Sequence, residues 1–250
     1  MKQLKIWIKL FIVSVFLIGI VALLTWHVRR FAIPSVLSKT AALETLYTLA
    51  GTKDLKITSL KGGSEATLYK VDSKDKSYVI RLIEHRSLAQ KEREINAQKI
   101  ASDGGWSPQL YASDVDEGWI IMEYIQPTSL TQADRMNDSL YISLGKVLQK
   151  MHTGPDFLLS SSSPIINRIE EQLEQLYKEH KIPQSIHYET LKNIFNSVKK
   201  NHSTIIAPTH RDLNPNNIIF SGHQPFIIDF EDAAQDDPFF DLGTIGAFFI

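Results

Sequence analysis

His210-Arg211-Asp212-Leu213-Asn214-Pro215-Asn216-Asn217, running into the apolar Ile218-Ile219-Phe220, is the stretch on which the reading of this chain turns. It follows the H-R-D-L-x-x-x-N pattern, in which an aspartate addresses an attacking hydroxyl and an asparagine five residues later holds a metal. A short hairpin away stands Phe226-Ile227-Ile228-Asp229-Phe230-Glu231, where an aspartate closes an apolar strand. The alternative is a polar turn between strands, with Asn-Pro and Asn-Asn as turn formers. Two linked motifs in the right order are far more specific than one, and they favour the chemical reading.

The spacing has a chemical reason. A phosphoryl group passing between two oxygens spreads negative charge, so catalysis consists mostly of positioning and cation supply. Asp212 would orient the acceptor hydroxyl and take its proton. Asn217 and Asp229 would hold Mg2+ through hard oxygen ligands, which suit that ion. Asn217 is neutral and adds no charge to a site already rich in carboxylate.

Upstream, the pattern is one of short strands. Ile57–Leu60 leads into Lys61-Gly62-Gly63-Ser64-Glu65, and Ala66–Val71 leads out. Glycines let backbone N–H groups approach phosphate oxygens, although Gly62-Gly63 alone would equally make an ordinary hairpin. Its place ahead of the catalytic loop favours a nucleotide loop. The next strand, Ser77–Ile83, carries Arg81 among apolar residues, and its guanidinium fork suits phosphate or carboxylate. The helix Leu88–Ser102 offers Glu92 and Glu94 as partners for it, with Glu94 preferred. The alternative places Arg81 on the solvent face of an edge strand. Trp119–Ile125 reads as a buried strand running into Gln126-Pro127, and the backbone of Glu123, Tyr124 and Ile125 would read an adenine edge.

Downstream, Leu140, Ile142, Leu144, Val147, Leu148 and Met151 make an amphipathic helix over Ser139–His152, with His152 in a structural or capping role. A helical insertion follows. Ser163 is its expected N-cap, with Pro164 in the first turn. The acids Glu231, Asp232, Asp236, Asp237 and Asp241 would suit a cationic acceptor. Capping by Asp237, ahead of Pro238, accounts for part of this group.

The 250 residues carry a net charge of −1, so nothing points to nucleic acid as a partner. The absence of cysteine excludes disulfides, cysteine metal sites and a thiol nucleophile. Leu10–Trp26 (LFIVSVFLIGIVALLTW) has no charge, with Lys2, Lys5 and Lys9 before it and His27, Arg29 and Arg30 after. With Ile6–Ile8 it approaches the roughly twenty residues that span a bilayer. No A-x-A-like cleavage site follows, so a membrane anchor is expected rather than a signal peptide. Basic residues flank both ends, and a cytoplasmic catalytic domain is expected on chemical grounds alone.

HRDLNPNN, IDFED and the later DDPFFDLG together resemble the choline kinase and aminoglycoside phosphotransferase family, over about residues 55–250. The resemblance implies an α+β, bilobal protein-kinase-like fold, ATP, Mg2+ and phosphorylation of a small-molecule hydroxyl. It implies that Asp212 is the base, that Asn217 and Asp229 bind metal, and that Gly62, Gly63, Ser64 and Arg81 contact phosphates. His210 and Asp241 would buttress the catalytic loop. Three features favour this family over protein kinases: the helical insertion, Glu231 in place of the glycine of D-F-G, and the lack of A-P-E. Ser64-Glu65-Ala66 departs from the usual Thr-Asn after the glycine loop. Relatives usually continue for several helices beyond D-x-x-x-D-L, whereas this chain stops at Ile250, either as a fragment or with its pocket completed otherwise.

The organisation expected is an anchor (1–30), a linker with a short helix (31–54), a β-rich lobe (55–126) and a helical lobe (127–250). The function expected is an ATP-dependent small-molecule kinase acting on choline, ethanolamine, thiamine or an aminoglycoside. The alternatives are a protein kinase and a membrane-tethered pseudokinase scaffold.

Overall fold

The computed structural model describes residues 41–60, 66–135, 137–157, 164–181, 187–201 and 205–249. The anchor expected over 1–30, the turn Gly62-Gly63-Ser64 and the N-cap Ser163 lie outside the described residues. Among those residues no helix is long and apolar enough to cross a membrane. The chain divides into two compact units. The first takes it as far as Glu84 and again over Ala112–Tyr124; the second takes His85–Tyr111 and the chain from Ile125 onward.

The first unit opens with helix α1 (Ala42–Ala50), which ends at Gly51 in the left-handed region (φ 66°), where glycine carries no Cβ penalty. The Tyr78 hydroxyl ties the helix down by donating to the Leu49 carbonyl (3.2 Å). A five-stranded sheet contains β1 (Lys56–Leu60), β2 (Thr67–Asp72), β3 (Ser77–Leu82), β4 (Leu110–Asp114) and β5 (Trp119–Glu123), in the order β1-β2-β3-β5-β4. The pairs β1/β2, β2/β3 and β3/β5 are antiparallel. Central strands lose solvent on both faces, which explains the near-continuous apolar runs of β3 and β5. Arg81 stands opposite Leu68 on β2 and Ile120 on β5 and is only 7% exposed. The edge-strand placement of Arg81 is therefore excluded.

The second unit is mainly helical, with α2 (Leu88–Asp103), α3 (Gln132–Arg135), α4 (Asp138–His152), α5 (Ile165–Lys178) and α6 (Tyr188–Asn201). A capping box starts α2, the Gln90 side chain accepting from the Ser87 N–H (2.9 Å). Leu140, Leu144, Leu148 and Met151 recur at three- and four-residue steps and bury one face of α4. Ile142, expected on that face, is 56% exposed, because a two-residue step carries a side chain to the far side of a helix. The buried stripe packs with Ala97 and Ala101 of α2, Trp106, Leu213 and Phe230 in one core.

The functional end of this unit is built from β6 (Ala207–Thr209), a 3-10 turn (Pro215–Asn217), β7 (Ile218–Ser221), β8 (Gln224–Ile227), β9 (Ala234–Asp236) and α7 (Phe239–Phe249). Strand β6 pairs with β9, and β7 with β8, both antiparallel. These two small ribbons carry the catalytic-loop and IDFED motifs on their ends.

Candidate active site

The loop leaving β6 is held by two buried carboxylates, Asp241 and Asp236. Asp241, fully buried in the first turn of α7, accepts the His210 N–H at Oδ2 and the Arg211 N–H at Oδ1, each at 2.9 Å. His152, at the end of α4, meets the same Oδ2 through Nε2 at 2.9 Å, which gives it the structural role expected. Arg211 has a positive φ (70°), a conformation that costs a non-glycine residue free energy and persists only where neighbours enforce it. Its guanidinium reaches the buried Asp236, with Nε 2.7 Å from Oδ2. That oxygen also accepts the Ile165 N–H (2.8 Å), so the first turn of α5 and the catalytic loop share an anchor.

His210 is buried, and both ring nitrogens are used internally. Nδ1 accepts the Asp212 N–H (3.3 Å) and Nε2 lies 2.9 Å from the Ile228 carbonyl, which assigns the proton to Nε2. It ties the two motifs together and lies away from solvent.

The Asp212 carboxylate faces two amides. Asn214 donates to both of its oxygens (3.0 Å each), and Asn217 Nδ2 donates to Oδ2 and to the Asp212 carbonyl (2.8 Å each). With its nitrogen committed to Asp212, Asn217 has Oδ1 as the atom to offer a metal. The Ile228 N–H donates to the Asn217 carbonyl (3.0 Å), which brings Asp229 next to Asn217 in the fold. Asp229 also has a positive φ (69°). After it, Phe230 is buried edge-on against Trp106 (5.6 Å between centroids) and His210 (5.2 Å).

These oxygens fit Mg2+. That ion is usually held by one or two protein ligands with water and phosphate oxygens completing the shell. A single carboxylate with an amide oxygen meets that requirement. Among the described residues no cluster of three or more His, Cys, Asp or Glu forms a dedicated metal cage.

The acidic group beyond Asp229 is largely used within the fold. Asp237 caps α7, accepting the Phe239 N–H (3.0 Å), and Asp236 and Asp241 hold the catalytic loop. Glu231 pairs with Arg86, and Asp232 takes a bidentate fork from Arg168 (2.9 and 3.1 Å). The bond to Asp232 holds the Arg168 guanidinium above its ordinary pKa, against burial, and the charges of Asp232, Asp212 and Asp236 add to the rise.

Of the two glutamates weighed as partners of Arg81, Glu94 is buried and Glu92 exposed. Glu94 pairs with Arg86. Glu123 ends β5, the Tyr124 N–H donates to the Ser77 carbonyl (3.1 Å), and Ile125 is buried. The chain passes from the first unit to the second between Tyr124 and Ile125.

Arg86, Arg168 and Asn214 were not visible as functional candidates in the sequence. Asn214 offers a usable signal, standing two residues after the aspartate and also accepting the Asn216 N–H (2.9 Å) to start the 3-10 turn. The two arginines offer none, since Arg168 meets an acid 64 residues away and Arg86 joins Glu94, eight residues on, to Glu231, 145 residues on.

The chain belongs to the phosphotransferase enzyme family, whose model matches residues 56–250. Nothing among curated protein sequences matches it. Solved structures share the fold at low identity. A choline/ethanolamine kinase family protein from Mesorhizobium loti is 20% identical with a TM-score of 0.60, covering 81% of this chain and 68% of that one. The choline kinase LicA from Streptococcus pneumoniae is 20% identical with a TM-score of 0.59, covering 82% and 72%. An aminoglycoside phosphotransferase in ternary complex with ADP and hygromycin B is 14% identical with a TM-score of 0.56, covering 83% and 76%. Against the Plasmodium vivax ethanolamine kinase, this chain spans 60% of the other's length.

Proposed function

We propose that the protein transfers the γ-phosphoryl group of ATP to a hydroxyl of a small cationic metabolite, of the choline, ethanolamine, thiamine or aminoglycoside kind. The observation that carries this reading is the Asp212 carboxylate, oriented by Asn214 and Asn217, with Ile228 bonded to Asn217 so that Asp229 follows next to it in the fold. Asp212 accepts the hydroxyl proton as the acceptor oxygen bonds to phosphorus and the bridging bond to ADP breaks. The two amides keep the carboxylate turned towards that hydroxyl. Asn217 Oδ1 and Asp229 would hold Mg2+, which would supply positive charge against the phosphate oxygens.

A cationic acceptor is supported by which acids remain accessible. Asp236, Asp237 and Asp241 are buried and occupied, whereas the Glu231 and Asp232 side chains, each paired with an arginine, remain 31% and 35% exposed. Those two are the acids of the group able to meet an ammonium. We also propose that the uncharged stretch Leu10–Trp26 tethers the catalytic part to a membrane, facing the cytoplasm where ATP is found.

The test is ADP release by the full-length chain with ATP and Mg2+, in the presence of amino alcohols, thiamine or aminoglycosides. Acceptor-dependent release that vanishes in Asp212→Ala, with nucleotide still bound, is expected. Turnover retained by that variant would overturn the assignment.

A further inference from the structure

Arg86 stands between two acids that sequence reading treats separately. It is buried, and its two terminal nitrogens divide between the Glu94 carboxylate, 1% exposed on α2, and the Glu231 carboxylate beyond Asp229-Phe230. All three residues belong to the second unit. A guanidinium suits this geometry because its planar fork can serve two carboxylates at once, which an ammonium does poorly. Breaking such a buried arrangement at the arginine would take a charge partner from the buried Glu94 carboxylate.

What the arrangement secures is the backbone of Asp229. That residue sits at φ 69°, where a side chain with a Cβ is strained. Strain of this kind lasts only if both flanks are fixed. On the upstream flank, Ile228 donates its N–H to the Asn217 carbonyl and accepts from His210 Nε2. On the downstream flank Phe230 is wedged among Trp106, Phe157 and His210, and Glu231 is the next residue. Glu231 is partly exposed, and its bond to Arg86, which in turn pairs with Glu94, ties this end of the segment to α2.

We propose that Arg86 is a positioning residue for the metal site: by bridging Glu94 and Glu231 it holds the Asp229 carboxylate in its metal-binding orientation. The inference rests on the reading of Asp229 as a metal ligand. Outer contacts that orient metal ligands typically govern affinity by roughly 10–100-fold.

The experiment measures Mn2+ binding to the full-length protein with ADP, from the electron paramagnetic resonance signal of free Mn2+, alongside kcat and the KM for ATP. Arg86→Met is expected to weaken Mn2+ by roughly 10-fold or more and to lower kcat more than it raises KM. Arg86→Lys should recover part of the affinity. Glu231→Gln, on a partly exposed side chain, leaves the buried Arg86–Glu94 pair intact and carries the test if Arg86→Met does not fold. It should weaken Mn2+ in the same direction, and unchanged affinity in whichever of these two variants folds overturns the proposal. Asp229→Ala separates the two levels: if it binds Mn2+ normally, the metal-ligand reading itself fails, and if it loses Mn2+ while the Arg86 and Glu231 variants do not, only the Arg86 role fails.

Discussion

Asp241 shows how much of the loop after β6 depends on one fully buried side chain. Its two oxygens serve the N–H groups of His210 and Arg211, both buried, and one oxygen also meets His152. An alanine there leaves two buried donors without their acceptor, at about 1–3 kcal/mol each. It also removes a restraint on the positive φ of Arg211. Asp241→Ala should therefore lower thermal stability and lower kcat, whereas Asp241→Asn, which keeps one acceptor oxygen, should lose less of both. Paired melting and steady-state measurements check this; a variant with normal melting and normal kcat would show that the loop is held by other contacts. Asp212 and Asn217, Asp229 and Asp241 are legible in the sequence because each stands at a fixed place in a short motif, HRDLNPNN, IDFED and DDPFFDLG respectively. Arg86 and Arg168 are not, because nothing local distinguishes a basic residue that will meet a distant acid from one that stays in water.

Elements were legible where a buried face imposes a period, as in the four-residue steps of α4 from Leu140 to Leu148. They were less so where partners decide. The Ile165 N–H at the start of α5 goes to Asp236, a residue placed beside it only by the fold. The end of α2 is a similar case. Gly104 has an ordinary helical conformation, yet a Cβ there would lie 2.3 Å from Trp106 Nε1 and 2.7 Å from Cδ1. Trp106 is buried edge-on to Phe230, so its ring has little freedom to retreat. Gly104→Ala should cost about 1–3 kcal/mol through overpacking, despite alanine's better helix propensity. A calorimetric melt reads this directly, and an unchanged or raised midpoint would mean the indole has room to move. The Arg168–Asp232 pair is one-third exposed at each end and should contribute little stability, about 0–1 kcal/mol. Arg168→Ala should leave melting almost unchanged but lower the KM for a cationic acceptor, since Asp232 is released. A KM unaffected by the substitution would place the ammonium elsewhere.

At the scale of the whole chain, the catalytic assignment and the membrane assignment rest on different parts of the sequence and can be separated by experiment. The motifs lie within the family match over 56–250, and the uncharged stretch lies before it. A charged side chain at the centre of a spanning helix costs about 2.5–3.5 kcal/mol on insertion scales. Phe16→Arg with Ile20→Arg places two such charges in the middle of Leu10–Trp26, far in sequence from every residue given a chemical role. The native full-length chain should remain with membranes through an alkaline carbonate wash, and the double variant should be released by it. The released variant should keep its turnover number towards a soluble acceptor, because tethering acts on location and leaves the chemistry proposed for Asp212 untouched. If the native chain washes off as readily as the variant, the stretch is buried in a protein core rather than in lipid. In that case the variant should also lose folded protein, since two arginines would then enter an apolar interior without partners.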